Sequence, residues 1–358
     1  MNALVFPFRD AAGLPGPGET LEVAPGVYWL RMPLPYKLDH INLWLLEDGE
    51  GWVLVDTGIS SNKSKALWQG VFDVRRIGRA HGRPATRLIC THFHPDHMGL
   101  AGWLAEELGI ELWTTRAEWL FGRMLWLDAA SDGQKDIARH YAHHGLDALR
   151  TEEIFARANA YRMVVGEPPR HYHRIRHGDK LAIGGRDWEV IVGLGHAPEQ
   201  ACLHCPELGV LIAGDQILPK ITPNIGVWAT EPLADPLSDY LTSLDRFRPL
   251  PEDTLVLPSH GYPFTGLHTR LDELAEHHAS RLDALAAALD GERETAHGKT
   301  ARGKTAVELM PTLFRRELDT FQIGFAIGET VAHLACLVGR GRARRSDGSD
   351  GVCRYFAA

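Results

Sequence analysis

Hydrophobic residues in the first third of the chain occur in short runs separated by Gly, Asp and Glu. The runs VYWLRMPL, INLWLLEDG and WVLVDTG begin at Val27, Ile41 and Trp52. They are rich in β-branched and aromatic residues, which is typical of strands, so we expect a meander of consecutive strands. The run RPATRLICTH predicts a further buried strand that ends at a histidine-rich motif.

After this motif the pattern changes to a helical period. In LAGWLAEELG, apolar residues recur at helical spacing, and Gly109 predicts the end of the helix. IELWTT returns to a strand. Residues from about 116 to 165 are helical in composition and rich in large apolar side chains, which predicts a helical insert. Its aromatic residues serve either as core or as a cap over a site.

The second half of the chain divides into strand-like and helical parts. DKLAIGG, DWEVIVGLGHAPEQACLHC and GVLIAGDQIL are strand-like, and each ends in or contains Gly beside a polar residue. Helices are predicted over 267–289 and in VELMPTLF and FAIGETVAHLACLVGRG, and RARRSDGSDGVCRYF predicts a hairpin. We therefore expect a catalytic domain over 1–265 and a winged-helix-like domain over 266–358.

Composition narrows the classes of function. Of 358 residues, 44% are hydrophobic and 23% charged, as in folded globular proteins. The net charge of −8 disfavours a surface built for nucleic acid. Five scattered cysteines do not form a disulfide framework, and we find neither a signal peptide nor a run of about 18 apolar residues. We expect a cytoplasmic protein with no membrane partner.

The motif THFHPDHMG, which starts at Thr91, concentrates side chains that bind metals. Two histidines separated by one residue on an extended backbone can face one point, and the following Asp and His can serve a second point close by. Further candidate ligands follow strand-like runs in GLGHAPEQ, LIAGDQ and LVLPSHGYP. The predicted set is His92, His94 and His196 for one metal, Asp96, His97 and His260 for the other, and Asp215 as the bridge.

With these residues in this order, the sequence closely resembles the metallo-β-lactamase-fold hydrolase superfamily, whose signature T-H-x-H-x-D-H is present. The resemblance implies an α/β fold with a four-layer αββα sandwich. VLVDTG resembles the early strand and turn of the family, which implies that Asp56 supports the metal site from behind the ligands. The C-terminal helices and hairpin resemble the winged-helix appendage of the LACTB2-like branch, which includes endoribonucleases and relatives acting as thioesterases or lactonases.

One departure from the family pattern concerns the residues after His196. Family members commonly continue GHTPGH or GHTPGS, whereas this chain reads GHAPEQ, with Glu199 and Gln200 at the last two positions. The histidine itself is unaffected. Because residues after this histidine line the site in the family, the departure bears on the class of substrate.

The ligand set predicts hydrolysis by two divalent metal ions, Zn first, with Fe or Mn as alternatives. Such a pair shares a bridging hydroxide and stabilises the negative charge that develops on the substrate. We assign catalytic roles to Asp96 and Asp215, and Asp96 is also the candidate for orienting the hydroxide and moving its proton.

The predicted substrate is a small acyl compound, a thioester or a lactone, because the insert is apolar and aromatic. The alternative is a metal-dependent endoribonuclease that binds RNA through Arg342, Arg344 and Arg345 in the tail. An iron-dependent dioxygenase is a further alternative on the same fold. The sequence makes no prediction of the oligomeric state.

Overall fold

The computed structural model describes residues 3–9, 14–78, 82–128, 133–156, 160–290 and 302–358. Contacts between residues divide the chain into two compact units. The first consists of Met1–Leu127, Ala160–Pro223 and Ser243–Leu271, and the second of Asp128–Asn159, Asn224–Thr242 and Asp272–Ala358. The units are thus discontinuous in sequence. The boundary predicted at residue 265 stays a prediction.

The first unit contains a seven-stranded sheet whose strands follow the order of the chain. The strands are β1 (Thr20–Ala24), β2 (Val27–Pro33), β3 (His40–Asp48), β4 (Gly51–Val55), β5 (Ala85–Ile89), β6 (Leu112–Thr114) and β7 (His173–Arg174). β1 to β4 pair antiparallel, as expected for a meander. β4 to β7 pair in parallel, so the C-terminal ends of these four strands lie at the same edge of the sheet.

A second sheet of five strands has the order β12, β11, β10, β9, β8. The strands are β8 (Lys180–Ile183), β9 (Arg186–Gly193), β10 (Gln200–Cys205), β11 (Val210–Gly214) and β12 (Leu255–Pro258). β8 to β11 are antiparallel, and β12 joins β11 in parallel. Every residue of β10 and β11 is buried, which explains why their sequences are continuous apolar runs with little alternation.

The two sheets pack face to face, and their inner side chains form one apolar core. Trp29 and Trp44 of the first sheet lie in the same cluster as Trp188 and Leu203 of the second. The outer face of the first sheet is covered by α1 (Asn62–Arg75) and α3 (Ala101–Leu108), and a short helix, α2 (Pro95–Met98), precedes α3. The predicted α/β class is confirmed.

The predicted helical insert is helical in its described parts. It consists of α4 (Arg116–Leu127), α5 (Gly133–His143), α6 (Ala148–Ala156) and α7 (Ala160–Val164). α4 and α7 contact each other within the first unit, whereas α5 and α6 belong to the second. The sequence indicated one insert in the catalytic domain, but its contacts divide it between the two units.

The C-terminal helices and hairpin lie close to their predicted bounds. α8 (Pro236–Leu244), which was not predicted, precedes them. The predicted elements are α9 (Leu267–Leu289), α10 (Ala306–Leu313), α11 (Thr320–Gly339), β13 (Ala343–Asp347) and β14 (Cys353–Ala357). Thr305 and Glu308 form a capping box that starts α10. Because α6 of the insert also packs on α11, the unit contains more than two helices and a hairpin. The winged-helix character stays a prediction.

One helix among the described residues is long and apolar enough to cross a membrane. It is the Gln322–Gly339 segment of α11, with a mean hydropathy of 1.3. Because 67% of this segment is buried inside the protein, the finding fits a core helix, which can be equally long and apolar.

Candidate metal centre

The predicted ligands follow the ends of strands in both sheets of the first unit. Asp56 follows β4, and the motif that starts at Thr91 follows β5, its parallel neighbour. Asp215 follows β11, and His260 comes two residues after β12, again a parallel pair. His196 lies in the turn between β9 and β10. Parallel pairing therefore brings residues from distant parts of the sequence to one edge.

Within the motif, alternation along an extended backbone separates two environments. His92 and His94 approach each other, with 2.9 Å between Nε2 of the first and Nδ1 of the second. Phe93 between them is 1% exposed, and its ring centroid lies 5.2 Å from that of Phe121 in α4. The two histidines thus share one side of the chain, and the intervening aromatic ring packs against the insert.

The chain then turns into α2, which carries the next two candidates. Pro95 takes the first helical position, where its missing N–H costs nothing, and Asp96 and His97 follow. Gly99 ends the motif because a Cβ atom there would lie 2.3 Å from the carbonyl oxygen of Pro95 and 2.5 Å from that of Gly58. Glycine therefore lets the ligand-bearing helix pack directly on the turn after β4.

The structure brings all seven predicted ligands together. They form three groups, and within each group the ligand atoms lie within 4.8 Å of one another. They are His92, His94 and His196; His92, His97 and Asp215; and Asp96, His97 and His260. Their binding of metal stays a prediction, but the two outer groups have the same membership as the two predicted sets.

Asp215 lies between these groups, with one carboxylate oxygen towards each. Its Oδ2 is 3.4 Å from His196 Nε2, while Oδ1 is 3.6 Å from His97 Nε2 and 3.5 Å from His260 Nε2. Asp96 Oδ2 is 3.3 Å from His260 Nε2. Two ligands each about 2.1 Å from a tetrahedral ion are about 3.4 Å apart, so these separations suit a shared cation.

The histidine tautomers are set by groups outside the cluster. Nδ1 of His97 donates to Asp56 Oδ2 at 2.8 Å, and Nδ1 of His260 donates to the carbonyl oxygen of His40 at 2.9 Å. Nδ1 of His92 lies 3.0 Å from Thr91 Oγ1. Because Nδ1 is engaged in each ring, Nε2 is the nitrogen that can bind a metal ion, and it points towards the centre.

Asp56 has the supporting position that the resemblance implied. Its carboxylate accepts hydrogen bonds from the backbone N–H of Thr91 at 2.7 Å and from Thr91 Oγ1 at 3.0 and 2.9 Å, besides the one from His97. The backbone of Asp56 has a φ of 63°, in the left-handed region that Asp tolerates better than most residues. This single buried side chain thus joins the turn after β4 to the motif after β5.

The pKa values divide the centre into two electrostatic halves. Burial and neighbouring imidazoles lower the pKa of His94 to about 3. Burial alone would also lower the pKa of His260, but the carboxylates of Asp215 and Asp96 raise it to about 10. The same balance raises the pKa of His97, with Asp56 contributing. The carboxylate side of the centre therefore attracts positive charge, which a proton or a metal ion supplies.

Two buried polar atoms indicate that the residues of the centre fit a metal ion. His97 Nε2 and Asp215 Oδ1 are both buried, and neither has a hydrogen-bond partner among the described residues. They lie 3.6 Å apart, beyond a normal hydrogen bond. Burying such atoms unsatisfied is costly, and a divalent cation between them would satisfy both. The donor set of imidazoles and carboxylates fits Zn, Fe or Mn.

Sequence analysis missed one buried carboxyl group beside the centre. Glu118 of α4 is fully buried, and burial raises its pKa to about 8, although hydrogen bonds from the backbone of Glu199 and Phe93 oppose the shift. A Glu between Ala117 and the apolar run that starts at Trp119 was the available signal. Cys202 and Cys205 are buried free thiols.

Comparison with known proteins identifies the family. A family model described as the metallo-beta-lactamase superfamily matches residues 36–260, which include every predicted ligand. The chain belongs to the metallo-beta-lactamase superfamily. A second model, described as a metallo-beta-lactamase-like C-terminal domain, matches residues 293–358. The superfamily predicted from the sequence is confirmed.

Similar proteins include a solved structure and two curated relatives. The crystal structure of a beta-lactamase domain protein from Burkholderia ambifaria is 43% identical, covers 99% of this chain and 98% of its own, and has a TM-score of 0.87. "Probable metallo-hydrolase YqjP" of Bacillus subtilis is 22% identical over 314 residues, covering 86% of this chain and 91% of the relative. The human "Acyl-coenzyme A thioesterase MBLAC2" is 24% identical over 266 residues, covering 72% of this chain and 85% of the relative. This metallo-beta-lactamase-superfamily chain is an enzyme of the metallo-hydrolase kind, as predicted.

Proposed function

We propose that the protein is a binuclear metal-dependent hydrolase of acyl compounds, with thioesters as the first substrate class and lactones as the second. The main observation behind this proposal is the position of Asp215. Its two carboxylate oxygens lie 3.4 to 3.6 Å from the Nε2 atoms of histidines in the two ligand groups. A carboxylate in this position can hold two ions at once, as a binuclear site requires.

Two bound ions would act as Lewis acids that polarise a carbonyl and lower the pKa of water towards about 7. The protein would hold them with His92, His94 and His196 on one side and Asp96, His97 and His260 on the other. The Asp96 side chain is 18% exposed, whereas that of Asp215, the other carboxylate of the centre, is 10% exposed. Asp96 is thus the carboxylate that can exchange a proton with solvent while it orients the attacking water.

Two features support an acyl substrate. The relative MBLAC2 is named an acyl-coenzyme A thioesterase. In addition, the helices α4 and α7 expose large apolar side chains, with Leu120 51%, Leu127 59% and Met163 74% exposed. Exposed apolar side chains on neighbouring helices are suited to contact an acyl or aromatic group. Assignment to the LACTB2-like branch and a cytoplasmic location remain proposals.

The ribonuclease alternative receives less support from the tail. Arg342 pairs with Asp283 at 2.8 Å, and Arg345 contacts both His143 at 3.2 Å and Asp347 at 3.6 Å. These guanidinium groups already have partners, so fewer unpaired cations face a phosphate backbone. The iron-dependent dioxygenase remains the third alternative because the ligand set also suits iron.

Thiol release from a panel of acyl-CoA and glutathione thioesters tests the proposal. We expect metal-loaded protein to release thiol, and Asp215→Ala to reduce turnover by about a thousandfold or more, because the site loses the carboxylate shared by both ions. Asp187→Ala, which removes an exposed carboxylate from β9, is the matched control and should keep full turnover.

Undiminished turnover in Asp215→Ala would contradict the binuclear mechanism. If wild-type protein with two metals bound releases no thiol, thioesters are excluded. The same comparison is then made with lactones, followed by single-stranded RNA.

A further inference from the structure

Glu118 lies between the two loops that carry the histidines of the first ligand group. Its Oε2 accepts a hydrogen bond from the backbone N–H of Phe93 at 2.9 Å, and its Oε1 accepts one from the N–H of Glu199 at 2.6 Å. Phe93 separates His92 from His94, and Glu199 comes three residues after His196. One carboxyl group therefore joins two loops that are more than 100 residues apart in sequence.

The insert also holds the backbone of Phe93 from a second direction. The Tyr161 hydroxyl of α7 donates to the Phe93 carbonyl oxygen at 2.6 Å. Close approach of the helices depends on Gly122 of α4, where a Cβ atom would lie 2.7 Å from Met98 Sδ and 3.2 Å from the Tyr161 hydroxyl oxygen. The N–H group and the carbonyl oxygen of Phe93 are thus both fixed by side chains from the insert.

Glu199 completes the arrangement from the other loop. Its Oε2 accepts a hydrogen bond from the N–H of Ala117 in the first turn of α4 at 3.1 Å, and its carbonyl oxygen accepts one from Thr115 Oγ1 at 2.8 Å. A carboxylate is favoured at this end of a helix, where backbone N–H groups lack partners. The departure from the family pattern at Glu199 therefore has a role in the structure: the side chain caps α4.

An apolar side chain at position 118 would leave the backbone N–H groups of Phe93 and Glu199 without their acceptor. Burying a carboxyl group costs free energy unless hydrogen bonds satisfy it, and Glu118 is fully buried. Here its two oxygens satisfy two N–H groups that come from different ligand loops. Removing them would leave both N–H groups buried without an acceptor, and each loop would be free to shift relative to the other.

We propose that Glu118 is a positioning residue of the metal centre, which fixes the distance between the loop of His92 and His94 and the loop of His196. This role rests on the proposed metal-binding function. Metal affinity is sensitive to groups behind the ligands, because small displacements spoil the coordination geometry.

The test measures Zn²⁺ affinity of the full chain by competition with a chelator. Glu118→Gln preserves the size of the side chain but has one acceptor oxygen for two N–H groups. We expect its Zn²⁺ affinity to fall by about tenfold or more. The matched control is Trp119→Phe in the same turn of α4, whose indole N–H donates to the Pro169 carbonyl oxygen at 2.9 Å and whose ring stacks on Tyr172. This variant should lower the melting temperature and keep wild-type affinity.

Two results would overturn the positioning role. One is wild-type affinity in folded Glu118→Gln, and the other is an equal loss of affinity in Trp119→Phe, because affinity would then follow the stability of the insert. If the Gln variant fails to fold, Glu118→Asp replaces it. Because the Asp side chain is shorter, its Zn²⁺ affinity should still fall, and an unchanged Zn²⁺ affinity would overturn the positioning role. Wild-type protein that binds no divalent metal would overturn both proposals, whereas metal binding without thioester hydrolysis overturns the substrate alone.

Discussion

Each unit of the molecule contains buried histidines, but the two clusters have different surroundings. In the first unit, imidazoles of the metal centre face the carboxylates of Asp96 and Asp215. In the second unit, His278 and His333 face each other, with 3.2 Å between Nδ1 of the first and Nε2 of the second. His333 Nδ1 donates to the carbonyl oxygen of Glu329 at 2.8 Å. Both rings of this pair are fully buried.

The surroundings give the histidines opposite affinities for positive charge. Burial, with His333, His277 and Arg281 adding to it, lowers the pKa of His278 to about 2. Burial likewise lowers the pKa of His333 to about 3. In the half of the metal centre that contains Asp96, His97 and His260, the carboxylates outweigh burial and raise the pKa of His260 to about 10. Carboxylates between the rings, more than the number of histidines, therefore mark a place where a cation is needed.

The largest expected effect concerns Asp96, the partly exposed carboxylate of the metal centre. Asp96→Asn retains an oxygen ligand but cannot accept a proton, so turnover should fall by about 10² to 10⁴ while both metals stay bound. Steady-state kinetics with metal analysis of the same samples measures both quantities. A variant with two metals and full turnover would show that Asp96 is a ligand only.

A second prediction concerns the pH dependence of stability at the His278–His333 pair. Because the folded pKa values lie below the unfolded value of about 6.5, stability is complete above pH 6.5 and is lost as the pH falls towards 3. When the pH is lowered from 8 to 5, each histidine should reduce the free energy of unfolding by about 2 kcal/mol. Urea unfolding of chelator-treated protein at the two pH values measures the loss.

The control for this prediction is His278→Gln, which removes one of the two titrating rings. Its loss of stability between pH 8 and pH 5 should be smaller than that of the wild type by about 2 kcal/mol. The histidines of the metal centre contribute equally to both proteins, so they cancel in the difference. An identical pH dependence in the two proteins would show that the pair is not a neutral buried pair.

The smallest effect is expected behind the ligands, at Asp56. Asp56→Asn retains one acceptor oxygen where the carboxylate accepts from Thr91 and His97 together, so the orientation of His97 should loosen. We expect metal affinity to fall about 10-fold to 100-fold, measured by chelator competition. Asp187→Asn on the surface of β9 serves as the comparison, and equal affinities of the two variants would contradict a supporting role for Asp56.

The sequence by itself determined the parts of this protein that depend on local periodicity. The strands before Asp56 and His92, the helix that ends at Gly109, and the bounds of α9 follow from patterns within about ten to twenty residues. The one-residue separation of His92 and His94 also determined that both face the same side. The order of the ligand motifs was sufficient for the superfamily, because each motif comes at the end of an apolar run.

Only the tertiary structure decided the contacts between residues far apart in the chain. The carboxylate of Glu118 meets the N–H of Glu199 81 residues later, and His278 meets His333 55 residues later. The division of the insert between the two units is of the same kind. The local sequence period does not predict these contacts, because they depend on which faces of already formed helices and strands pack together. Burial lowers the pKa of the histidines in both clusters, so the carboxylates that packing brings beside the rings decide the difference between the metal centre and the neutral histidine pair.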